Sequence, residues 1–591
     1  MRRRCALPGT RTRARSLIGE HRTLYVSLAR GGSKRLPGKN LRCVGGVPLV
    51  GRAVRAGLQA ARRLGNTARV VVSTDDEAIA RAARQWGADV PFLRPAELAT
   101  DAADSVAALV HAVDWYAERG EAFTEVVLLQ PTSPLRAASD VVRAIEAFRG
   151  GDGSSVVTVR PAAHDAPDLW YALDAERLVE LGGKITGADH VELNGAVYVC
   201  SPPWLRAPGR LCVPGRTLAV TMPAERSIDV DTAADLDLAQ AHWERSLLWR
   251  PGHCLIIAEA CVNHNGSVDT ARRLADAARE AGADAVKFQT FAAERLVTRS
   301  AAKAAYQKQT TAAGESQFDM LKRLELSPEE HRTLTAHCSE RGIVFLSSPY
   351  GERDVDLLDG LDVPAIKVGS GEITNHPLLA HVGATMRPVI LSTGCSSLGE
   401  VMRALDVLRA SGCAETALLH CVSNYPADPA DANLRAMATM ARASDLPVGY
   451  SDHTPNIEIA CAAAALGARI IEKHLTLNRG MPGPDHRASL EPREFAELVS
   501  AIRHIESAMG DGVKRPAPSE ADTRVAARRS LVAAANLPAG TVLRRGHLVA
   551  KRPGTGIGPD ELERILGLTL QQDLAADEVL TAAHLRRGGD E

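Results

Sequence analysis

From about residue 252 to residue 510 the chain repeats one pattern eight times: a short apolar run, a polar or charged end, then an amphipathic stretch. The runs are LIIAEA, DAVKF, IVFLSS, AIKVGS, PVILST, ALLHC, PVGYS and ARIIEKH. Short apolar strands alternating with helices predict an α/β fold, and eight such units in roughly 260 residues predict a (β/α)8 barrel. Ligands of such a barrel lie at the carboxyl ends of its strands. In chain order those ends carry Glu259; Lys287 and Gln289; Ser347 and Ser348; Lys367, Ser370 and Glu372; Ser392 and Thr393; His420 and Ser423; Ser451, Asp452 and His453; and Glu472, Lys473 and His474. Polar groups at all eight ends predict an active site, because a purely structural barrel needs only a few there.

Ahead of the barrel, over about 23–245, the pattern predicts a mainly parallel α/β sheet. Apolar runs at Tyr25–Leu28, Val70–Val72 and Val126–Leu129 close on ARGGSKRLPGKN, STDD and QPTSPLR. The first loop joins the backbone N–H groups of Gly31, Gly32 and Gly38 to Arg30, Ser33, Lys34, Arg35 and Lys39, the makings of a polyphosphate cradle. LLQPTSPLR sets Gln130, Thr132, Ser133 and Arg136 at another strand end, and ELNGAVYV puts Asn194 before a strand. SIDVDT spaces Asp229 and Asp231 so that both carboxylates face one way and reach one hard divalent cation. Cradle and paired carboxylates together predict metal-assisted nucleotidyl transfer. Behind the barrel, GDGVKRPAPSEADTR reads as a linker, followed by a small domain of short strands with a helix at Pro559–Leu566. The expected divisions are a disordered basic extension (1–22), a nucleotidyltransferase domain (23–245), the barrel (246–510), the linker (511–524) and the small domain (525–588), which is too short to bury much core unaided.

Composition narrows the partners. Residues 1–22 carry seven Arg against one Glu, a net of +6, which leaves −7 for the rest of a chain whose total is −1. A mildly acidic body offers no field for nucleic acid, and no apolar run approaches the ~18 residues of a membrane span. Eleven Cys without a CxxC pair suit reduced thiols and the cytoplasm better than a disulfide frame. Only 11 of the 70 basic residues are Lys, and six of those (Lys34, Lys39, Lys287, Lys367, Lys473 and Lys551) fall inside motifs. In so Arg-rich a chain, a retained Lys marks a need for a compact point charge.

At the barrel mouth, His453 and His474 end strands seven and eight and are expected to share a divalent metal. Lys287, Lys367, Ser348, Ser370, Ser392 and Ser451 form a ring of cations and hydroxyls suited to a phosphate and a carboxylate. Glu259 and Glu372 are the candidate proton-handling or carbonyl-orienting groups.

ARGGSKRLPGKN, LRPAELATD, LLQPTSPLR, NGAVYV and SIDVDT together resemble CMP-N-acylneuraminate (CMP-sialic acid) synthetase across most of 23–240. The resemblance implies that Arg30, Ser33, Lys34, Lys39 and Asn40 bind the triphosphate of CTP. It further implies that Arg94, Ser105, Gln130, Thr132 and Ser133 line the base and ribose pocket, that Asn194 lies near the sugar, and that Asp229 and Asp231 hold Mg2+. The stretch GGKITGADHVEL lacks the Arg-Gln which that family carries before Asn-Gly-Ala.

IIAEACVNHNGS, AVKFQT, FLSSPY, KVGSGE, ILSTG, LLHCVSNYP, GYSDHT, IEKHLT and GPDH resemble N-acetylneuraminate (sialic acid) synthase, and LVAKRPGTGI resembles its antifreeze-like domain, over about 252–585. The implied reaction condenses phosphoenolpyruvate with an N-acylhexosamine. Mn2+ or another divalent cation would sit on His453 and His474. Lys287, Lys367, Ser348, Ser370, Ser392, Ser423 and Ser451 would hold phosphoenolpyruvate, Glu372 and Asp485 would orient the sugar, and Tyr425 would lie nearby. Arg552 would reach the N-acyl group from a partner chain, which implies at least a homodimer. The expectation is a bifunctional enzyme that makes a nonulosonic acid and activates it as its CMP ester. Its rivals are legionaminate, pseudaminate or deaminated neuraminate chemistry on the same scaffold, and a glycan-binding protein with vestigial sites.

Overall fold

The computed structural model describes residues 21–100, 103–151, 155–162, 171–174, 177–180, 190–304, 307–308, 311 and 314–586. The expected basic extension lies outside these up to residue 20, and Arg22 already opens the first strand, Arg22–Leu28. Most of GGKITGADHVEL also lies outside them. The chain divides into two compact units, one ending at Ala508 and one starting at Met509.

The first unit begins with a sheet whose strand order is Thr67–Ser73, Arg22–Leu28, Glu125–Leu129, His190–Cys200, Ser155–Pro161, Thr217–Thr221, Arg177–Glu180 and Tyr171–Asp174. Its first three strands are parallel, as the repeating strand–helix pattern predicts. His190–Cys200 runs antiparallel to both its neighbours, which makes the whole sheet mixed. An apolar strand does not encode its own direction; the connection feeding it does. Here the reversal carries Asn194 and Gly195 to the end of the sheet where Gln130 lies, with Leu129 paired to Val197.

The eight apolar runs form the barrel strands Leu255–Cys261, Ala285–Thr290, Val344–Pro349, Ile366–Val368, Val389–Ser392, Thr416–Cys421, Val448–Asp452 and Ile470–His474. All recorded pairings are parallel, the first strand joins the eighth, and the third lies beside the fourth to complete the ring. The interior floor is apolar: Ile257, Ala285, Leu346, Ala365, Ile390, Leu419 and Ile470 pack together with Trp249. The outer faces of the strands pack against the surrounding helices in the main core.

The first sheet and the barrel meet along the helix Leu49–Leu64, whose apolar face (Val50, Ala53, Val54 and Ala60) packs on its own sheet. Its other face reaches the amino-terminal end of the barrel. Arg55 donates to the Met386 carbonyl at 2.7 Å, Gln59 to the Thr385 carbonyl at 3.0 Å, and Arg63 pairs with Asp362 at 2.6 Å. The mouth at the carboxyl ends of the strands is therefore at the opposite end of the barrel from this seam.

The second unit has its own small core of Leu531, Leu537, Leu543, Leu548, Ile565, Leu570, Leu574 and Leu580. The strands Ser530–Ala533 and Leu548–Lys551 pair antiparallel within it. Among the described residues no helix is long and apolar enough to cross a membrane.

Candidate active sites

The glycine loop, the Gln130 strand end and the acidic turn converge on one cavity of about 460 Å3, lined by Arg30, Ser33, Lys34, Arg35, Lys39, Asn40, Gln130, Thr132 and Asp231. Gly38 has φ +65, a left-handed conformation open to glycine at no cost, and it starts the turn Lys39–Leu41 that aims Lys39 inward. Lys39 Nζ lies 2.9 Å from Asp231 Oδ1, and Arg35 lies 3.1 Å from Oδ2. The Lys39 hydrogen bond holds the Asp231 carboxyl below its usual range. Asp229 is open to solvent on one side and crowded by protein on the other; desolvation and the Asp231 charge raise its carboxyl, against a bond from Thr132. Two oxygen-donor carboxylates, one of which raises the other's pKa, fit a hard divalent cation.

Other residues expected here have local tasks. The Arg94 guanidinium is buried, donating to Ser73 Oγ at 3.0 Å and to the Ser73 carbonyl. Asn194 is consumed by Thr158 at 2.7 Å and Ser227 at 3.0 Å, so its neighbour Gly195 is what approaches Gln130. Ser133 is buried with its hydroxyl unpartnered, and Ser105 opens the helix Ser105–Ala117 behind the Asp104 cap. Arg136 ties the Gln130 carbonyl (3.0 Å) to the Ala196 carbonyl (2.6 Å).

At the barrel mouth, side-chain parity decides who takes part. Two residues beyond the apolar floor, on the same face of each strand, stand Glu259, Lys287, Ser348, Lys367, Ser392, Cys421, Ser451 and Glu472. Two further on stand Cys261, Gln289, Ser423, His453 and His474. With Ser370, Tyr425 and Asp485 they line a cavity of about 470 Å3. Gly394 is required there, since a Cβ would lie 2.2 Å from Ser423 Oγ and 3.0 Å from Ser370 Oγ.

Residues of opposite parity point away from the mouth and serve the fold. Ser347 bonds Thr290 at 2.6 Å, Thr393 donates to the Leu419 carbonyl at 2.9 Å, and His420 bonds the Ala432 carbonyl at 2.8 Å. Lys473 is clasped by Asp452 at 2.5 Å and by the carbonyls of Thr454 (2.6 Å) and Asn456 (2.7 Å). Asp452 is therefore taken up by Lys473 and does not line the cavity. Glu372 lies on the short turn after the fourth strand, bonded to Asn375 at 2.7 Å, and does not line the cavity. Arg552 is exposed on the second unit.

The heart of the mouth is a buried tetrad of two lysines and two glutamates. Lys287 is paired with Glu259 and lies 3.4 Å from Glu472, while Lys367 lies 3.2 Å from Glu472. Ser451 donates to Glu472 at 2.8 Å. Burial pushes the Glu259 carboxyl up to about 7 against the pull of Lys287. Burial also opposes ionisation of Glu472, but the two lysines outweigh it and hold that carboxyl well below its ordinary range. Burial likewise disfavours the Lys287 ammonium, which Glu259 and Glu472 more than restore; for Lys367 burial wins and the pKa falls. Ser392 Oγ is buried without a partner inside this ring. Charges neutral in sum, beside an unpartnered hydroxyl, suit a phosphorylated anion that enters and re-pairs the lysines.

The two histidines lie with ring centroids 5.5 Å apart, Tyr425 packing on both at 4.3 and 5.6 Å. His453 Nδ1 bonds the Val422 carbonyl at 2.6 Å, which assigns the proton to Nδ1 and leaves Nε2, with Ser451 Oγ at 3.5 Å, as the acceptor. Burial lowers the His453 pKa to about 4 and that of His474 well below the ordinary value, so both rings are neutral. His474 Nδ1 is buried without a partner. Neutral, partly orphaned imidazoles fit a divalent metal. Of the mouth residues named here, Cys261, Cys421 and Glu472 carry no role in the sequence reading. The two-residue repeat Ile257–Glu259–Cys261 and Ile470–Glu472–His474 was the available signal.

The fold and these sites define an α/β transferase: a cationic glycine loop with paired carboxylates, followed by a barrel whose mouth holds a buried charge tetrad and a histidine pair. The family models match in the same order: Cytidylyltransferase over 26–176, NeuB family over 274–514 and SAF domain over 528–586. The N,N'-diacetyllegionaminic acid synthase of Legionella pneumophila is 45% identical over 336 residues, 56% of this chain and 94% of that protein. The N-acetylneuraminate-9-phosphate synthase of Homo sapiens is 35% identical over 56% of this chain and 93% of its own length. Among solved structures, N-acetylneuraminic acid (sialic acid) synthetase from Leptospira borgpetersenii, in complex with citrate, is 33% identical with a TM-score of 0.41, covering 46% of this chain and 90% of that one. The chain belongs to the NeuB family, with a cytidylyltransferase domain ahead of its synthase barrel and a SAF domain behind it.

Proposed function

We propose that the barrel condenses phosphoenolpyruvate with an open-chain N-acylhexosamine and that the amino-terminal domain activates the resulting nonulosonic acid with CTP, both in the cytoplasm. The observation that carries the condensation is the Lys287–Glu259–Lys367–Glu472 tetrad beside the orphaned Ser392 hydroxyl and the histidine pair. Lys287 and Lys367 exchange their carboxylate partners for the phosphate and carboxylate of phosphoenolpyruvate, while Ser348, Ser370, Ser392, Ser423 and Ser451 supply hydroxyls. Carbon 3 of phosphoenolpyruvate bonds to the aldehyde carbon, water adds at carbon 2, and phosphate leaves. A divalent metal held by His453 and His474, Mn2+ or another divalent cation, would supply Lewis acidity to the aldehyde oxygen. Glu259, with its carboxyl near neutrality, is suited to take the proton from the incoming water. Asp485 and Tyr425 orient the sugar; Glu372 keeps that role only if the turn Ser370–Glu372 swings toward the mouth.

In the amino-terminal domain, Arg30, Ser33, Lys34, Lys39 and Asn40 hold the triphosphate. Mg2+ on Asp229 and Asp231 supplies charge neutralisation at the phosphates. The anomeric oxygen of the nonulosonic acid bonds to the α-phosphorus, and pyrophosphate leaves. Lys39, 2.9 Å from Asp231 and lining the same cavity, is the cation best placed to follow the developing charge.

On the sugar, the greater identity to diacetyllegionaminic acid synthase (45%) than to N-acetylneuraminate-9-phosphate synthase (35%) favours an N,N'-diacetyl substrate over N-acetylmannosamine. The test is mass spectrometry of products from CTP, phosphoenolpyruvate and a panel of N-acylated hexosamines. The expected result is one preferred nonulosonate and its CMP ester. Sugar binding without turnover across the panel would leave the glycan-binding reading in its place.

A further inference from the structure

Cys261 ends the first barrel strand at φ +46, a left-handed conformation that a side-chain-bearing residue adopts only at a cost. The strand's register shifts between Glu259 and Cys261, and the thiol lies inside the mouth, 3% exposed. Its Sγ lies 2.9 Å from Asp485 Oδ2 and receives a hydrogen bond from Gln289 Nε2 at 2.9 Å. A ring nitrogen of His474, the Cys261 sulfur and an Asp485 oxygen all lie within 4.8 Å of one another. Independently, His474 Nδ1 is buried with no hydrogen-bond partner, an orphan that a metal would satisfy. Donors around one tetrahedral ion, at bonds of about 2.0–2.3 Å, stand about 3.5 Å apart, so the three converge with shifts of about an ångström.

We propose that Cys261 and Asp485 join His474 as ligands of the divalent ion at the barrel mouth, Asp485 then serving the metal rather than the sugar, and that the Cys261 sulfur tilts the site toward thiophilic ions such as Zn2+ or Co2+ and away from Mn2+. The inference rests on the metal-assisted reading of the barrel but asks a different question of it: which atoms hold the ion. Thiolate favours the softer ions, whereas imidazole and carboxylate alone leave Mn2+ competitive. The Gln289 N–H aimed at sulfur stabilises the thiolate once its proton has left. The balance is simple: the ion binds, the S–H bond breaks, and the proton passes to solvent, with Asp485 turning from the thiol to the metal.

The experiment loads the metal-stripped full chain with Co2+ and reads absorption, Co2+ and Mn2+ affinity, and protons released into weak buffer. The wild type should show a sulfur-to-cobalt charge-transfer band and release about one proton more per ion than Cys261→Gly. That variant suits the positive φ, so it removes sulfur while relieving backbone strain. It should lose the band and bind Co2+ at least tenfold more weakly, with Mn2+ affinity changed less than threefold. His474→Ala should lose both band and tight binding, while Cys421→Ser, a thiol of the same cavity, should keep both. A Co2+ complex without the band, or a band that survives in Cys261→Gly, overturns the proposal. Failure to condense any sugar would overturn the functional reading and leave this optical result standing.

Discussion

Two buried lysines on the barrel strands, Lys367 and Lys473, offer a paired perturbation whose outcomes must diverge. Lys367 points inward, 3.2 Å from Glu472; Lys473 points outward, 2.5 Å from Asp452; and both pairs are almost fully buried. At an effective dielectric of about 20, each contact is worth about 5–7 kcal/mol of gross attraction, most of it offset by desolvation. Removing one partner strands the other charge, and the net loss for such a pair is about 3–5 kcal/mol. Lys367→Met and Lys473→Met should therefore destabilise the barrel to a similar degree in chemical denaturation. Their ligand binding should separate. Lys367→Met also deletes a charge-assisted hydrogen bond to phosphoenolpyruvate, worth about 1.5–3 kcal/mol, so the Kd should rise on the order of 10- to 150-fold. Lys473→Met touches no ligand and should keep the parental Kd within about twofold. The assay is isothermal titration of phosphoenolpyruvate at a temperature where circular dichroism shows both variants folded. Equal loss of affinity in the two variants, or parental affinity in Lys367→Met, would refute the parity argument.

Asp231→Asn should cut cytidylyl transfer on the order of 100-fold while condensation proceeds at the parental rate; coupled assays of pyrophosphate and phosphate release separate the two, and equal losses would point to unfolding. His264 is buried outside the mouth, its Nδ1 accepting from the Gly266 N–H at 3.0 Å, and burial lowers its pKa to about 4. Because the folded pKa lies below the unfolded value near 6.5, its contribution is intact above pH 6.5 and is lost as pH falls toward 4, up to about 3 kcal/mol. Glu259, raised to about 7, pulls the opposite way between about pH 4.5 and 7, so the measurement is the denaturation midpoint of wild type minus His264→Gln at pH 7.5 and pH 5; a difference independent of pH would contradict the assignment. Arg552→Ala should raise the KM for the N-acylhexosamine more than that for phosphoenolpyruvate, and mixing it with Lys367→Ala after dissociation should restore some activity; unchanged kinetics would remove Arg552 from the site.

The eight barrel strands and the polar residue closing each were legible in the sequence because a buried strand writes its length and its end in local composition. The period of two was legible as well: it separates Glu472 and His474 from Lys473, and Glu259 and Cys261 from Ala260. The retained lysines sorted less cleanly than their scarcity suggests. Lys34, Lys39, Lys287 and Lys367 line cavities, Lys473 clasps Asp452, and Lys551 pairs with Asp577 on the surface of the second unit. What only the tertiary structure decided is which charges meet. Glu259, Lys287, Lys367 and Glu472 come from strands one, two, four and eight, and they form one tetrad because closure sets strand eight beside strand one. The same closure brings Cys261, at the end of the first strand, to His474 at the end of the last, and the loop beyond adds Asp485. The reversed strand His190–Cys200 and the seam of Arg55 on the Met386 carbonyl were equally unwritten. Strand pattern is a property of neighbours along the chain; pairing between distant strands depends on stagger, connection and closure, which no local window contains.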